Sequence, residues 1–169
     1  FAEWAAHADT ASAILQDPPM LPAKNPGDIP IGLLKRARQM VRSIDMSDDA
    51  IDRWYASFAT RLKHGHELEA PSRVPEIEAL RKKLASGARV RRSEEARFAL
   101  LPIKRDASLL LFVGGNELHV PAAAAPLARA ICASRRFSGP ELLALAKTKP
   151  ARTLLHQLFA MGALLLQKR

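Results

Sequence analysis

Residues 108–120 read Ser108-Leu109-Leu110-Leu111-Phe112-Val113-Gly114-Gly115-Asn116-Glu117-Leu118-His119-Val120. An apolar, β-branched and aromatic run, a glycine turn and a second run predict a β-hairpin, because adjacent glycines adopt the positive φ that tight hairpin turns require. Working upstream, two more β-like runs lie at about 97–104 and 88–92, with Arg105-Asp106-Ala107 as the turn before the hairpin. Ile77, Leu80 and Leu84 mark a short helix closed by Gly87 as its C-terminal cap. Downstream, Leu127, Ala130 and Ile131 define a helix. Ser138-Gly139-Pro140-Glu141 opens another with the spacing of a capping box. Pro150 precedes a last helix bearing Leu154, Leu155, Leu158, Phe159 and Met161, and Leu164-Leu165-Leu166 predicts a final short strand.

The expected fold class is therefore α+β and mostly α. Residues 72–169 form a winged-helix-like domain: a helix, a small antiparallel sheet, then a helix pair joined by Thr148-Lys149-Pro150. Residues 67–75 hold the expected domain boundary, and residues 1–66 read as three helices. Phe1, Trp4, Ala5, Ala8, Ala11 and Leu15 follow helical spacing until Asp17-Pro18-Pro19 ends it. A proline-rich connection leads to a second helix near Pro30, with Ile31, Leu34 and Val41 on one stripe. Ser47-Asp48-Asp49 supplies the N-cap and acidic first turn of a third, which carries Ile51, Trp54, Tyr55 and Phe58 and ends near Gly65. These seven side chains are expected to fill the core of the helical region and the seam of a homodimer.

Charge divides the chain. Residues 1–70 hold 8 Lys/Arg against 10 Asp/Glu, whereas residues 71–169 hold 18 against 7, a net of +11. Such a domain attracts polyanions. Arg81, Lys82, Lys83, Arg89, Arg91 and Arg92 place six cations in twelve residues and are the candidate polyanion-binding set, with Lys104, Arg105, Arg135, Arg136, Lys147, Lys149 and Arg152 adding more. Aromatic platforms for stacking bases are few, and Arg152, Thr153, His156 and Gln157 would be a thin recognition face for reading a sequence. Non-specific contact with RNA or the ribosome and a merely solvated basic surface both remain open.

Catalytic signals are missing. His64, His66 and Glu67 are the only metal-like cluster, and their place at an expected helix end, where histidine suits the dipole, accounts for them better than a metal site does. No phosphate-cradling loop or zinc framework occurs. Cys132 is the single cysteine, which excludes an internal disulfide and suits a reducing cytoplasm; its apolar neighbours predict a small buried side chain. No apolar run reaches the roughly 18–20 residues of a membrane span, so a cytoplasmic location without membrane contact is expected. The chain opens on Phe1-Ala2-Glu3-Trp4 rather than Met and is expected to be part of a longer protein.

Phe1-Ala2-Glu3-Trp4, Asp17-Pro18, Asn25-Pro26-Gly27-Asp28-Ile29-Pro30, and Trp54-Tyr55-Ala56-Ser57-Phe58 followed by His66-Glu67-Leu68 resemble the C-terminal region of bacterial cupin-type (Jumonji C) ribosomal oxygenases. The resemblance covers the chain in element order, with its specific matches concentrated in residues 1–70. It implies a helical dimerisation region and a winged-helix domain that follow a catalytic cupin barrel. It also implies a parent enzyme that uses iron(II) and 2-oxoglutarate to hydroxylate an arginine of a ribosomal protein. No residue here matches an iron or 2-oxoglutarate ligand, so this chain's expected role is non-catalytic dimerisation and substrate positioning. The alternative is a free-standing basic winged-helix module that binds nucleic acid or ribosome.

Overall fold

In the computed structural model, the residues described are 25, 27–62, 68–103 and 106–167. The expected first helix (1–17), the His64/His66/Glu67 cluster, Lys104 and Arg105 lie outside them. The contacts divide the chain into two compact units, Phe1–Trp54 and Tyr55–Arg169, with the boundary inside a helix.

In the first unit, α1 spans Ile31–Ser43 and starts directly after Pro30, whose fixed φ suits a helix start. It buries none of its side chains. Helix α2, Asp48–Thr60, begins in the first unit behind Ser47, whose hydroxyl accepts from the Ala50 N–H at 3.3 Å, with Asp48 and Asp49 in the first turn. It ends at Thr60, before the expected Gly65.

The second unit takes the end of α2, then α3 (Ile77–Ala85), β1 (Arg89–Arg92), β2 (Phe98–Pro102), β3 (Leu109–Val113) and β4 (Asn116–Val120). A single 3-10 turn leads into α4 (Ala125–Ala133), followed by β5 (Arg136–Ser138), α5 (Gly139–Leu145), α6 (Lys149–Ala160) and β6 (Leu164–Leu166). Instead of the one small sheet expected, two antiparallel three-stranded sheets form, ordered β2-β3-β4 and β5-β1-β6. Strand β5 was absent from the expected element order. Its three residues carry little periodicity, and it exists by pairing with β1, whose Val90 lies opposite Phe137.

The hairpin behaves as its glycines predict. Val113 pairs with Asn116, leaving Gly114 and Gly115 as a two-residue loop with φ of 58° and 89°, the signature of a turn that matches strand twist. All five residues of β3 are buried. Its side chains alternate between two apolar layers: Leu109, Leu111 and Val113 join the main core, while Leu110 and Phe112 pack with Ala56 of α2. Polar contacts hold α2 to the hairpin tip. Ser57 Oγ donates to the Gly115 carbonyl at 2.7 Å, and the Gly115 N–H donates to Thr60 Oγ1 at 3.1 Å. Thr60 is itself buried and donates to the Ala56 carbonyl at 2.8 Å.

The main core is aliphatic, with Leu84, Leu127, Ile131, Leu142 and Leu158 fully buried. Helix α5 starts with the complete capping box: Glu141 N–H donates to Ser138 Oγ, and Glu141 accepts from the Ser138 N–H. Thr148 caps α6 by accepting from the Ala151 N–H, and its hydroxyl donates to the Ala123 carbonyl at 3.0 Å. The α3–α5 contact is close enough to require glycine, since a Cβ at Gly139 would run into the Leu84 carbonyl.

Among the described residues, the seven candidate helical-region side chains form no buried core. Ile31 is 72% exposed, Val41 68% and Tyr55 62%; Leu34, Ile51 and Phe58 are also exposed, and only Trp54 is half-buried. The apolar spacing was right for helices but did not decide which face would be covered.

Candidate functional site

The six candidate cations fall into three settings. Arg81, Lys82 and Lys83 lie exposed on α3. Arg81 Nη1 pairs with Glu78 Oε2 at 3.6 Å, a surface pair of small energetic worth. Arg89 and Arg91 share one face of β1 because strand side chains alternate. Their neighbours on that face are Ser138 and Arg136 of β5, with Arg91 directly opposite Arg136. Two like charges in register repel each other. Arg91 is partly compensated by Glu94, 3.3 Å away, while Arg136 is exposed.

Arg92 corrects the expectation that it binds a polyanion. It lies on the opposite face of β1, the face that carries the buried Val90. Its guanidinium turns into the protein, where Nη1 donates to the carbonyls of Ile131 and Cys132 at 3.4 and 3.2 Å. Nη2 donates to the Ala96 carbonyl at 3.5 Å, and the group sits 4.2 Å from the centroid of the Phe98 ring. Ile131 and Cys132 are in the last turn of α4, so Arg92 satisfies carbonyls that the helix leaves open and places positive charge against the negative dipole end. Burial pulls its pKa below the ordinary arginine value, with Cys132 opposing and nearby Arg135 reinforcing that shift. Arg92 is a structural cation. Strand periodicity carried the signal: if Val90 faces the core, so must residue 92.

Cys132 is half-buried against the main core. Burial pushes its thiol up to about 11, the Arg92 charge acting the other way, so it is a poor nucleophile at neutral pH.

The expected recognition face of α6 is divided. Thr153 and Gln157 are exposed, but Arg152 and His156 are half-buried. Arg152 Nη1 donates to the Lys147 carbonyl at 2.6 Å, and His156 Nε2 donates to the Pro75 carbonyl at 3.2 Å, securing the segment before α3. These contacts turn both side chains along a half-open cleft of about 220 Å³ between α3, α5 and α6. Leu80 and Leu84 marked α3 and Leu155 belonged to the stripe of α6, but the cleft that these helices leave with α5 was not visible in their spacing.

Among the described residues, no group of three His, Cys, Asp or Glu side chains could hold a metal ion. No helix among them is long and apolar enough to cross a membrane.

The profile of the ROXA-like winged helix family matches residues 39–165. Among solved structures, the chain is similar to YcfD, a ribosomal oxygenase from Escherichia coli, with a TM-score of 0.62 and 15% identity over 99% of this chain and 44% of that one. It is likewise similar to YcfD in complex with cobalt and succinic acid, with a TM-score of 0.62 and 16% identity over the same shares. YcfD with cobalt and 2-oxoglutarate gives a TM-score of 0.62 and 16% identity over 99% and 45%. At that identity the likeness is one of fold, and the chain spans less than half the length of each of these structures. No curated protein matches the sequence.

Proposed function

This chain belongs to the ROXA-like winged helix family, and from that premise we propose that it is the non-catalytic dimerisation and substrate-positioning part of an iron(II)- and 2-oxoglutarate-dependent ribosomal protein hydroxylase. The observation that carries the dimerisation half is the exposure of apolar side chains on α1 and, taken by itself, on α2. Ile31, Leu34 and Val41 recur at helical spacing on α1, and Ile51, Tyr55 and Phe58 on α2, all of them exposed. A soluble surface rarely keeps such a stripe in water, and a second copy of the same helices would cover it symmetrically.

Iron and 2-oxoglutarate would be held by the parent's cupin barrel, as the resemblance to the ribosomal oxygenases implies. When bound there, iron and 2-oxoglutarate would supply the oxidising chemistry. This chain would contribute geometry, fixing two catalytic units relative to each other and holding the winged-helix surface beside the ribosomal protein.

Light scattering across protein concentration tests the first half. The expected mass is twice 18.5 kDa, falling to the monomer when Val41 and Tyr55 are both changed to Glu. A monomer at every concentration overturns the dimer. In the parent enzyme, the same pair of changes is expected to raise KM for the protein substrate more than it lowers kcat.

A second reading, a basic module that binds nucleic acid or ribosome non-specifically, is favoured by one observation. Arg89, Arg91 and Arg136 share the outer face of the β5-β1-β6 sheet, and a phosphate between Arg91 and Arg136 would relieve their repulsion. It predicts RNA binding that weakens steeply with salt and disappears in an Arg89→Glu, Arg136→Glu variant. RNA binding that ignores salt and both substitutions would remove this reading.

A further inference from the structure

The cleft between α3, α5 and α6 belongs wholly to the second unit, and neither dimerisation nor the sheet's arginines account for it. Its floor is Leu80, Leu84 and Leu155, all buried. Ile77 and Leu143 form its lips, and Ile77 is an exposed large apolar residue. Three cations stand around this apolar slot: Arg81 from α3, Lys147 from the α5–α6 connection, and Arg152 from α6. None of the residues that line it is acidic. We propose that this cleft is a docking site for an acidic protein segment, which inserts one large apolar side chain between the leucines while flanking carboxylates meet Arg81, Lys147 and Arg152.

Three features select that occupant. The volume of about 220 Å³ falls below the roughly 300–1,000 Å³ typical of small-molecule sites, which suits a side chain rather than a whole ligand. An apolar floor within a ring of one sign of charge complements an apolar anchor between carboxylates. Single-stranded nucleic acid is disfavoured because its sites stack bases on aromatic side chains: no Phe, Tyr or Trp lines the cleft, and its one imidazole, His156, is held to the Pro75 carbonyl. The Arg81–Glu78 pair is exposed and 3.6 Å long, so a carboxylate that approaches both Arg81 and its cationic neighbours can displace it. His156, held to the Pro75 carbonyl, keeps the preceding segment fixed against the cleft.

The test uses the 169-residue chain and a fluorescein-labelled peptide, Asp-Glu-Phe-Glu-Asp, followed by anisotropy and by methyl NMR of Leu84 and Leu155. The peptide is expected to shift those methyl signals, and replacing its Phe by Ala or its acids by Ser should abolish the shift. Arg81→Glu and Lys147→Glu should each weaken binding about tenfold, the worth of one charge-assisted contact, with thermal melting unchanged. Ile77→Trp, a change at the exposed lip, should block the slot without altering charge. Arg89→Glu, on the β1 face that bears the sheet's arginines, should leave binding intact. Absence of binding, indifference to the peptide's Phe, or equal loss in Arg89→Glu overturns the proposal. Oligouridine that shifts the same methyl signals and is displaced by Lys147→Glu also overturns it, and assigns the cleft to nucleic acid.

Discussion

Helices α1 and α6 are of similar length and both strongly amphipathic, yet α1 buries no side chain while α6 buries Ala151, Leu154, Leu155, Leu158 and Phe159. The difference lies in what surrounds them. Around α6 the chain supplies α3, α4, α5 and β6, all contributing to one aliphatic core. Around α1 the described chain leaves Ile31 and Val41 in water. An apolar stripe therefore reports that a face gains by being covered, roughly 25 cal/mol for each Å² removed from water. It does not name the cover.

The sharpest way to break this comparison is to truncate one side chain from each region. Phe112→Ala empties a fully buried position that joins β3 to Ala56 of α2, and should cost about 3–5 kcal/mol in urea denaturation. Val41→Ala should change the monomer's unfolding free energy by less than about 0.5 kcal/mol, while raising the dimer dissociation constant measured by sedimentation. Equal losses in the two variants would mean that α1 is packed into the fold after all.

A smaller effect separates two arginines on one strand. Arg92→Met removes the charge that caps α4 and is expected to cost about 1–3 kcal/mol; Arg89→Ala, on the exposed face, should stay within about 0.5 kcal/mol. Guanidinium melts of both variants measure the contrast. If Arg92 tolerated Met as easily as Arg89 tolerates Ala, its inward hydrogen bonds would not contribute to stability.

The smallest expected effect is on pH. The Cys132 thiol is raised in the folded protein to about 11 from the ordinary 9.0. The neutral thiol is favoured in the fold, so this contribution is fully present below pH 9 and is lost as pH rises from 9 through 11. Denaturation across that window should show the wild type losing more stability than Cys132→Ala, and parallel curves would remove the thiol as the cause.

Much of the second unit was legible because its signals are local. The Gly114-Gly115 loop, the Ser138/Glu141 capping box and the proline after Thr148 each act within a few residues, and the structure places turn, cap and helix start at those positions. Strand β5 escaped notice because three residues carry almost no pattern and its partner β1 lies more than 40 residues earlier. The cationic cluster was legible as composition but not as arrangement. Arg91 gained Arg136 across the sheet, Arg92 turned inward to α4, and Arg81 came to stand with Lys147 and Arg152 around the cleft.

By itself, the amino-acid sequence determined the helix starts behind Ser47, Ser138 and Thr148, the glycine turn of the hairpin, the basic character of residues 71–169 and the apolar stripe each helix carries, because capping, φ preference, charge and periodicity depend on neighbours along the chain. Only the tertiary structure decided which of those faces is covered, which arginine is structural and where three helices leave an apolar slot. Burial and pairing are set by groups distant in sequence, and a side chain's role changes with the partner that the fold brings to it.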